Sequence, residues 1–451
     1  MTKEKKRSIL ENPKSDQRVL LDPDIKDGLL SKGWRSRVVD FYKSIIPSHS
    51  KPQNQLWLKT PQDVAGFCEK LNSDDCDLSS LNYICICDTI ADIYDIVDFL
   101  NKLHIKLPNR AKIIYLNYNW KLTFLFRLSG LLGFSRNRKF GDFYRDKDLD
   151  DFFQIAGWEN VKRIRRYMLP IRVPILSIFF DNLLVRLPIL NILALNTFFV
   201  ARKSHIKETR EHSVSVLVPC KNEEGNIAAI VERMPDFSSH LEIVFINDKS
   251  SDGTEKKIID VQATSQRSIT LVHGAGNGKK AAVAEGVKHA CGDICMILDA
   301  DLTVIPEDLP QFYEALKSHR ADFVHGTRFV YRYESGAFRF ANIIGNMFFS
   351  AIFSYIVDQR MTDTLCGTKA FWRSDWPLFE ETRLILGDRD LWGDYNLIFG
   401  ASRYGLKIAQ LPVRYFERLQ GVTKMNKRIR NGLVMFRVAC EALWKIKFIN
   451  E

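Results

Sequence analysis

Ile294-Cys-Met-Ile-Leu-Asp-Ala-Asp-Leu-Thr-Val-Ile-Pro306 is the stretch on which the fold turns. Its first five residues, Ile294 to Leu298, are apolar and too few for an ordinary helix, so they read as a strand buried on both faces. The run stops at Asp299 and Asp301. Side chains two apart on an extended segment point the same way, so both carboxylates converge on one point. Pro306, with Glu307 and Asp308 behind it, reads as the first turn of a helix. A buried strand that delivers paired acids at its carboxyl end suits a hard cation and a polyphosphate. The spacing by itself is a weak motif, because Asp22/Asp24, Asp75/Asp77, Asp146/Asp148, Asp148/Asp150 and Asp388/Asp390 repeat it. Position after a buried strand sets Asp299/Asp301 apart.

Upstream, the same pattern recurs. Val214–Val218 reads as a strand ending in Pro219-Cys-Lys-Asn-Glu-Glu224, and Leu241–Ile246 as another ending in Asn247-Asp-Lys-Ser-Ser-Asp-Gly-Thr254. A short strand at Ile269–Val272 precedes Gly276-Asn-Gly-Lys-Lys280 and a helix of small residues from Ala281 to Ala290. In an open α/β sheet the carboxyl ends of such strands line one crevice, which brings Pro219/Asn222, Asp248 and Asp299/Asp301 together. Gly274-Ala-Gly-Asn-Gly278 imitates a phosphate-binding loop. However, only three residues separate the outer glycines, and Lys280 stands where a Ser or Thr should meet magnesium.

These motifs, in this order, resemble a family-2 glycosyltransferase of the GT-A fold, in the branch of the dolichol-phosphate mannose and glucose synthases. The resemblance continues through Gly326-Thr-Arg328, Asp363-Thr-Leu-Cys-Gly367 and Arg418-Leu-Gln-Gly-Val-Thr-Lys424, and spans about 213–425. It implies that Pro219, Asn222, Glu223 and Asp248 hold the base and ribose of a UDP- or GDP-linked sugar, with Lys279 beside them. Asp299 and Asp301 would bind Mg²⁺ or Mn²⁺ against the donor diphosphate. Arg418, Thr423 and Lys424 would close over it. Asn247 stands where the family usually has Asp, and Thr303 where the mannose branch has a metal-ligating Gln. Asp394, opening an apolar helix after Gly393, is the candidate catalytic base beside Asp301; an N-cap is the other reading of its position. A lipid-phosphate acceptor is already an anionic nucleophile and needs no base, whereas a saccharide hydroxyl does.

The front half reads as a second α/β domain. Leu81–Cys87 and Ala111–Leu116 are strands around an amphipathic helix, Asp148–Gly157 a short helix, and Val161 onward extended. Roughly 80–203 resemble the second half of a class I S-adenosylmethionine-dependent methyltransferase. Gly66 is the only glycine between Trp34 and Ser129, so no cofactor loop is present, and a degenerate domain that does not use S-adenosylmethionine is expected.

The expected organisation is a polar segment (1–55), the methyltransferase-like domain (56–203), a linker (204–212), the GT-A domain (213–425) and a basic amphipathic C-terminal helix (426–451). The fold class is α/β throughout: a GT-A domain preceded by an incomplete Rossmann-like domain.

At 451 residues, 46% hydrophobic and 26% charged, the chain has the composition of a globular protein rather than a disordered or multi-span membrane protein. The net charge of +11 points to an anionic partner. No recognition motif favours nucleic acid. Nine cysteines without a C-x-x-C pair read as buried thiols in a reducing compartment. No secretory signal is visible, so a cytoplasmic protein, peripheral on the inner face of a membrane, is expected. Pro174–Ala201 reads as buried strands, with contact to a bilayer surface as the alternative. Phe338–Val357 and Lys427–Phe448 carry apolar residues at helical spacing and suit either packing or a membrane surface.

Overall fold

In the computed structural model, residues 32–449 are described apart from 74–75, 88–89, 91–92, 94, 123–143, 170–174, 188, 205, 207–209, 330–339, 388–389, 391–392, 417 and 419–427. The chain divides into two compact units, Met1–Ser204 and His205–Glu451.

In the first unit, the segment read as polar contains a helix, α1 (Lys32–Ile45). Val38, Phe41, Tyr42 and Ile45 recur at i, i+3, i+4 and i+7 and are buried against the sheet, a stripe disguised by the charged residues between them. The sheet has five strands in the order β1-β2-β3-β5-β4. β1 (Gln55–Leu58), β2 (Tyr83–Ile86) and β3 (Lys112–Tyr118) are parallel, connected through α2 (Pro61–Leu71) and α3 (Ile96–Lys106). Thr60 and Asp95 start these helices by accepting the backbone N–H of Asp63 and Asp98. α4 (Asp146–Ile155) leads through Gly157, at φ 78°, into β4 (Trp158–Arg166). β5 (Asn196–Lys203) is slotted antiparallel between β3 and β4.

Within Pro174–Ala201, buried strand holds only for the β5 portion. Ile178–Leu183 forms a π-helical turn, and Leu184–Arg186 and Leu190–Leu193 form 3₁₀ turns whose apolar side chains are largely exposed. A run that is apolar throughout has no period to separate strand from helix. Asp181 settles the matter locally: its buried carboxylate accepts the backbone N–H groups of Met168 (2.7 Å) and Leu169 (3.0 Å) and pairs with Arg37 (2.7 Å).

The second unit is a mixed sheet of seven strands in the order β12-β10-β11-β9-β6-β7-β8. β6 (Val214–Cys220), β7 (Leu241–Asn247), β8 (Ser268–His273) and β9 (Ile294–Ile297) are mutually parallel. β11 (Lys369–Trp372) runs antiparallel between β9 and β10 (Phe323–Thr327), and β12 (Ile408–Pro412) pairs parallel with β10. Helices cover both faces, which explains the near-continuous apolar strands. Val216 and Met296 face the layer of α5 (Ile227–Arg233), α6 (Thr254–Thr264) and α8 (Leu309–Lys317). Leu217 and Ile297 face the layer of α7 (Lys279–His289), α9 (Phe340–Val357), α10 (Trp376–Leu386), α11 (Asp394–Arg403) and α12 (Arg428–Ala442). Among the described residues no helix is long and apolar enough to cross a membrane.

Candidate functional site

Because β6, β7, β8, β9 and β10 run the same way, their carboxyl ends share one edge, and antiparallel β11 enters the sheet there through Lys369. Three turns leaving this edge carry a non-glycine residue in the left-handed region: Asn222 (φ 55°), Lys249 (φ 54°) and Leu302 (φ 55°). Asn tolerates that conformation. Lys and Leu hold it at a cost on the order of 1–2 kcal/mol each, the kind of strain that gathers at functional sites.

The turns after β6 and β7 are tied to each other. Pro219 lies one residue before the end of β6, beside Ile246. Asn222 Oδ1 accepts the Ser251 N–H (2.8 Å), and the Asn222 N–H donates to Ser250 Oγ (3.0 Å). Glu223, buried, turns inward and accepts from Asn226 Nδ2 (2.9 Å). Asn247 donates to Glu255 Oε2 (2.7 Å), which the more usual Asp could not do, and its Oδ1 accepts the Ser250 N–H. The departure at Asn247 is therefore matched to Glu255.

Asp248 is 3% exposed. Its two carboxylate oxygens accept the N–H groups of Gly276 (2.7 Å) and Gly278 (2.9 Å). The loop that imitates a phosphate cradle thus wraps an internal carboxylate. Gly278, at φ 89°, also precedes α7, whose first residue, Lys279, reaches Asp299 Oδ1 at 2.6 Å. Asp248 and Asp299 consequently bracket one helix start.

Beyond Asp299 lies a chain of alternating charges. Lys279 Nζ stands 3.8 Å from Asp394 Oδ2, and Asp394 Oδ1 accepts from Lys369 Nζ at 2.7 Å. The fully buried Lys369 also donates to the Cys366 carbonyl (2.7 Å). Asp301 accepts from the Thr303 N–H (3.1 Å) and hydroxyl (2.8 Å) and pairs with Arg418 (2.7 Å). Thr303, which replaces a Gln, therefore orients Asp301. Burial pushes the Asp299 carboxyl up, but Lys279, with Lys369 and Arg418 behind it, holds it below the usual carboxylate value. Burial likewise lowers Lys279, and Asp299 and Asp394 more than reverse this, so the ammonium is retained. The N-cap reading of Asp394 gives way to Asp390, whose Oδ2 accepts the N–H groups of Tyr395 (2.9 Å) and Asn396 (3.1 Å) at the start of α11. Thr423 and Lys424 lie outside the described residues.

Two residues carried no role from the sequence, His325 and Lys369, and Arg328 and Asp363 stood there only as parts of motifs. Arg328, just past β10, grips the fully buried Asp363 through Nε (2.7 Å) and Nη2 (2.9 Å), so the two quoted motifs are one ion pair. His325, also fully buried, meets the Asp363 carbonyl at 2.8 Å; burial and then Lys369 push its pKa down to about 3, so it is neutral. Lys369 was detectable as a lysine opening the apolar strand Lys369-Ala-Phe-Trp372, an unusual place for a charge. A cavity of about 660 Å³ borders this network, lined among others by Lys279, Gly393, Asp394, Trp376, Phe379 and Arg383.

Among the described residues no three His, Cys, Asp or Glu side chains gather as metal ligands. Asp299 and Asp301 supply two carboxylates, a donor set that fits a hard divalent ion drawing the rest of its shell from phosphate oxygens and water.

A family model described as glycosyl transferase family 2 matches residues 215–375. The undecaprenyl-phosphate 4-deoxy-4-formamido-L-arabinose transferase of Aeromonas hydrophila is 34% identical over 107 residues, 23% of this chain and 33% of that protein. The dolichol-phosphate mannosyltransferase of Saccharomyces cerevisiae is 30% identical over 120 residues, 26% of this chain and 44% of that protein. The chain thus spans between a third and a half of the length of these relatives. A structure of glucosyl-3-phosphoglycerate synthase from Mycobacterium tuberculosis, in complex with Mn²⁺ and UDP, aligns over 52% of this chain and 80% of its own, with 18% identity and a TM-score of 0.38. The matched residues, 215–375, hold every strand-end turn from Asn222 to Asp301.

Proposed function

We propose that the protein is an inverting, metal-dependent glycosyltransferase that moves a hexose from a UDP- or GDP-linked donor to a polyprenyl or dolichyl phosphate or a related lipid acceptor. The observation that carries this reading is the bracketing of the α7 start by Asp248 and Asp299, with two exchangeable ion pairs, Lys279–Asp299 and Arg418–Asp301, at the diphosphate end.

Breaking the bond from the anomeric carbon to a nucleoside diphosphate builds negative charge on the leaving phosphate. Lys279 and Arg418 are cations already held at that end, and both are partnered by carboxylates that a divalent ion would take over. A diphosphate arriving with Mg²⁺ or Mn²⁺ would therefore receive the two side-chain cations while Asp299 and Asp301 turn to the metal. When bound, the ion neutralises the leaving group as a Lewis acid. Fixed cations aimed at charge that grows in the transition state lower the barrier selectively.

Asp394 bears on the acceptor. Its carboxylate oxygens already face Lys369 at 2.7 Å and Lys279 at 3.8 Å, so a sugar hydroxyl would have to compete with two cations for them. An acceptor that is already an anion suits the site better. Transfer to a saccharide with Asp394 as base is the rival reading, and a non-catalytic nucleotide-sugar-binding scaffold a further one. The peripheral membrane placement draws support from the exposed faces of α9 and α12, where Met347, Phe348, Leu433 and Phe436 project beside Arg430 and Arg437. For the first unit, a degenerate methyltransferase-like role without S-adenosylmethionine remains the proposal, supported by the antiparallel last strand slotted between β3 and β4.

The test is a screen of UDP- and GDP-sugars with Mn²⁺ and a polyprenyl phosphate, products identified by mass. Asp301→Asn should reduce transfer at least ~100-fold. Equal transfer by Asp301→Asn, or binding without turnover for every donor, would overturn the enzymatic reading.

A further inference from the structure

The first unit holds an apolar surface that the transfer chemistry does not use. Nine of the twenty exposed large apolar side chains among the described residues fall between Ile175 and Leu193. Ile175 is 79% exposed, Ile178 64%, Phe179 49% and Ile189 84%. Every position in this stretch that is described as exposed carries Ile, Leu or Phe. Scattered single apolar residues on a surface are ordinary, but a contiguous set of this kind marks a contact.

The stretch is also held firmly. Asp181, its only acid, is 1% exposed and bonds the backbone of Met168 and Leu169 and the Arg37 guanidinium from below. Val185 and Arg186 are buried beside it. The polar residue that breaks the apolar run is thus its anchor, and the apolar side chains are presented outward by a fixed scaffold.

We infer that this face docks on an anionic lipid bilayer. Charge and chemistry select the occupant. Between Val161 and Lys203 the charged side chains described as exposed are Arg163 and Arg165, both cationic, while the one acid, Asp181, is buried. Arg165, exposed on β4, reaches across to Asn191 Oδ1 (3.0 Å) and sets a cation at the rim. A protein partner is met by an apolar centre mixed with aromatic and hydrogen-bonding groups. A face whose exposed positions are all Ile, Leu or Phe, with Arg165 at its rim, suits acyl chains beneath anionic headgroups. Its short turns lie along the surface and none is long enough to cross. The bilayer contact needs none of the chemistry proposed above, so either can fail without the other.

The experiment is flotation of the full chain with phosphatidylcholine vesicles containing a quarter phosphatidylglycerol, without donor or acceptor. The wild type should float, and less so on pure phosphatidylcholine. Phe179→Glu/Ile189→Glu should lower the bound fraction at least ~10-fold, since two buried apolar side chains are lost from the contact. Ile105→Glu, at an equally exposed site in α3, should leave it unchanged. Phe436→Glu on the wild-type and double-variant backgrounds separates any contribution from α12. Should the double glutamate variant fold poorly by circular dichroism, Ile178→Ser/Ile192→Ser makes the same test with less charge. Unchanged flotation of the folded variant, or no flotation of the wild type, overturns the inference. So does a wild-type dimer that the variant abolishes, since the face would then join copies of the chain.

Discussion

Gly367→Ala separates geometry from stability where the two acids meet the cations. A Cβ on Gly367 would stand 2.0 Å from Asp299 Oδ2 and 2.7 Å from Lys279 Nζ. Ordinary contact begins near 3.4 Å, so the carboxylate oxygen would have to withdraw by roughly 1.4 Å. A displacement of that size in a positioning group typically costs ~100-fold in rate, or about 2.7 kcal/mol of barrier. Stability should change little. Gly367 is not in the left-handed region, and Asp299 is 32% exposed and can swing outward. The ion pair it would lose is worth no more than about 1 kcal/mol at such exposure. Gly278→Ala is the converse: nothing lies within 4 Å of its Cβ, but φ is 89°, so strain on the order of 1 kcal/mol falls on stability instead. Calorimetric titration of UDP and GDP with and without Mn²⁺, single-turnover transfer and thermal melts of both variants distinguish the two. Nucleotide uptake and transfer by Gly367→Ala within threefold of wild type would refute a role for the Asp299–Lys279 geometry.

Other outcomes follow from the same network. Lys369→Met removes the 2.7 Å partner of Asp394 in a buried setting and should destabilise by about 3 kcal/mol, with Lys369→Met/Asp394→Asn recovering part of the loss in a denaturation cycle. Asp394→Asn should leave transfer to a polyprenyl phosphate within about tenfold of wild type and abolish transfer to a saccharide hydroxyl, so the acceptor class is read from one variant. His325 has a folded pKa depressed to about 3 against roughly 6.5 unfolded, so the unfolded chain takes up the proton first. Its contribution is complete above pH ~6.5 and is lost as pH falls toward 3, by up to about 1.4 kcal/mol per pH unit; His325→Asn should flatten the urea-stability profile in that window.

The strand leading to Asp299 and the turns after β6 and β7 were legible because apolar runs, turn residues and short motifs are local signals. So were α7, read from Ala281 and starting at Lys279, and the helices α9 and α12. Local signals fail where no period exists. The run from Pro174 to Ala201 is apolar throughout, and only the fastening of Asp181 to Arg37 and the backbone of Met168 shows it to be outward-facing helical turns. α1 was hidden by the charged residues between its buried positions.

The site divides the same way. The sequence by itself determined which acids stand at strand ends, because alternation along a strand and the polarity of a turn are properties of neighbouring residues. Only the tertiary structure decided which charges those acids meet. Lys369 comes under Asp394 because β11 runs antiparallel against β9, pairing Lys369 with Ile297. Gly276 and Gly278 give their N–H groups to Asp248, and not to a phosphate, because Gly274 is hydrogen-bonded back to Asn247. Such partners lie far apart in sequence, and electrostatic pairing depends on distance in space, which strand order alone sets.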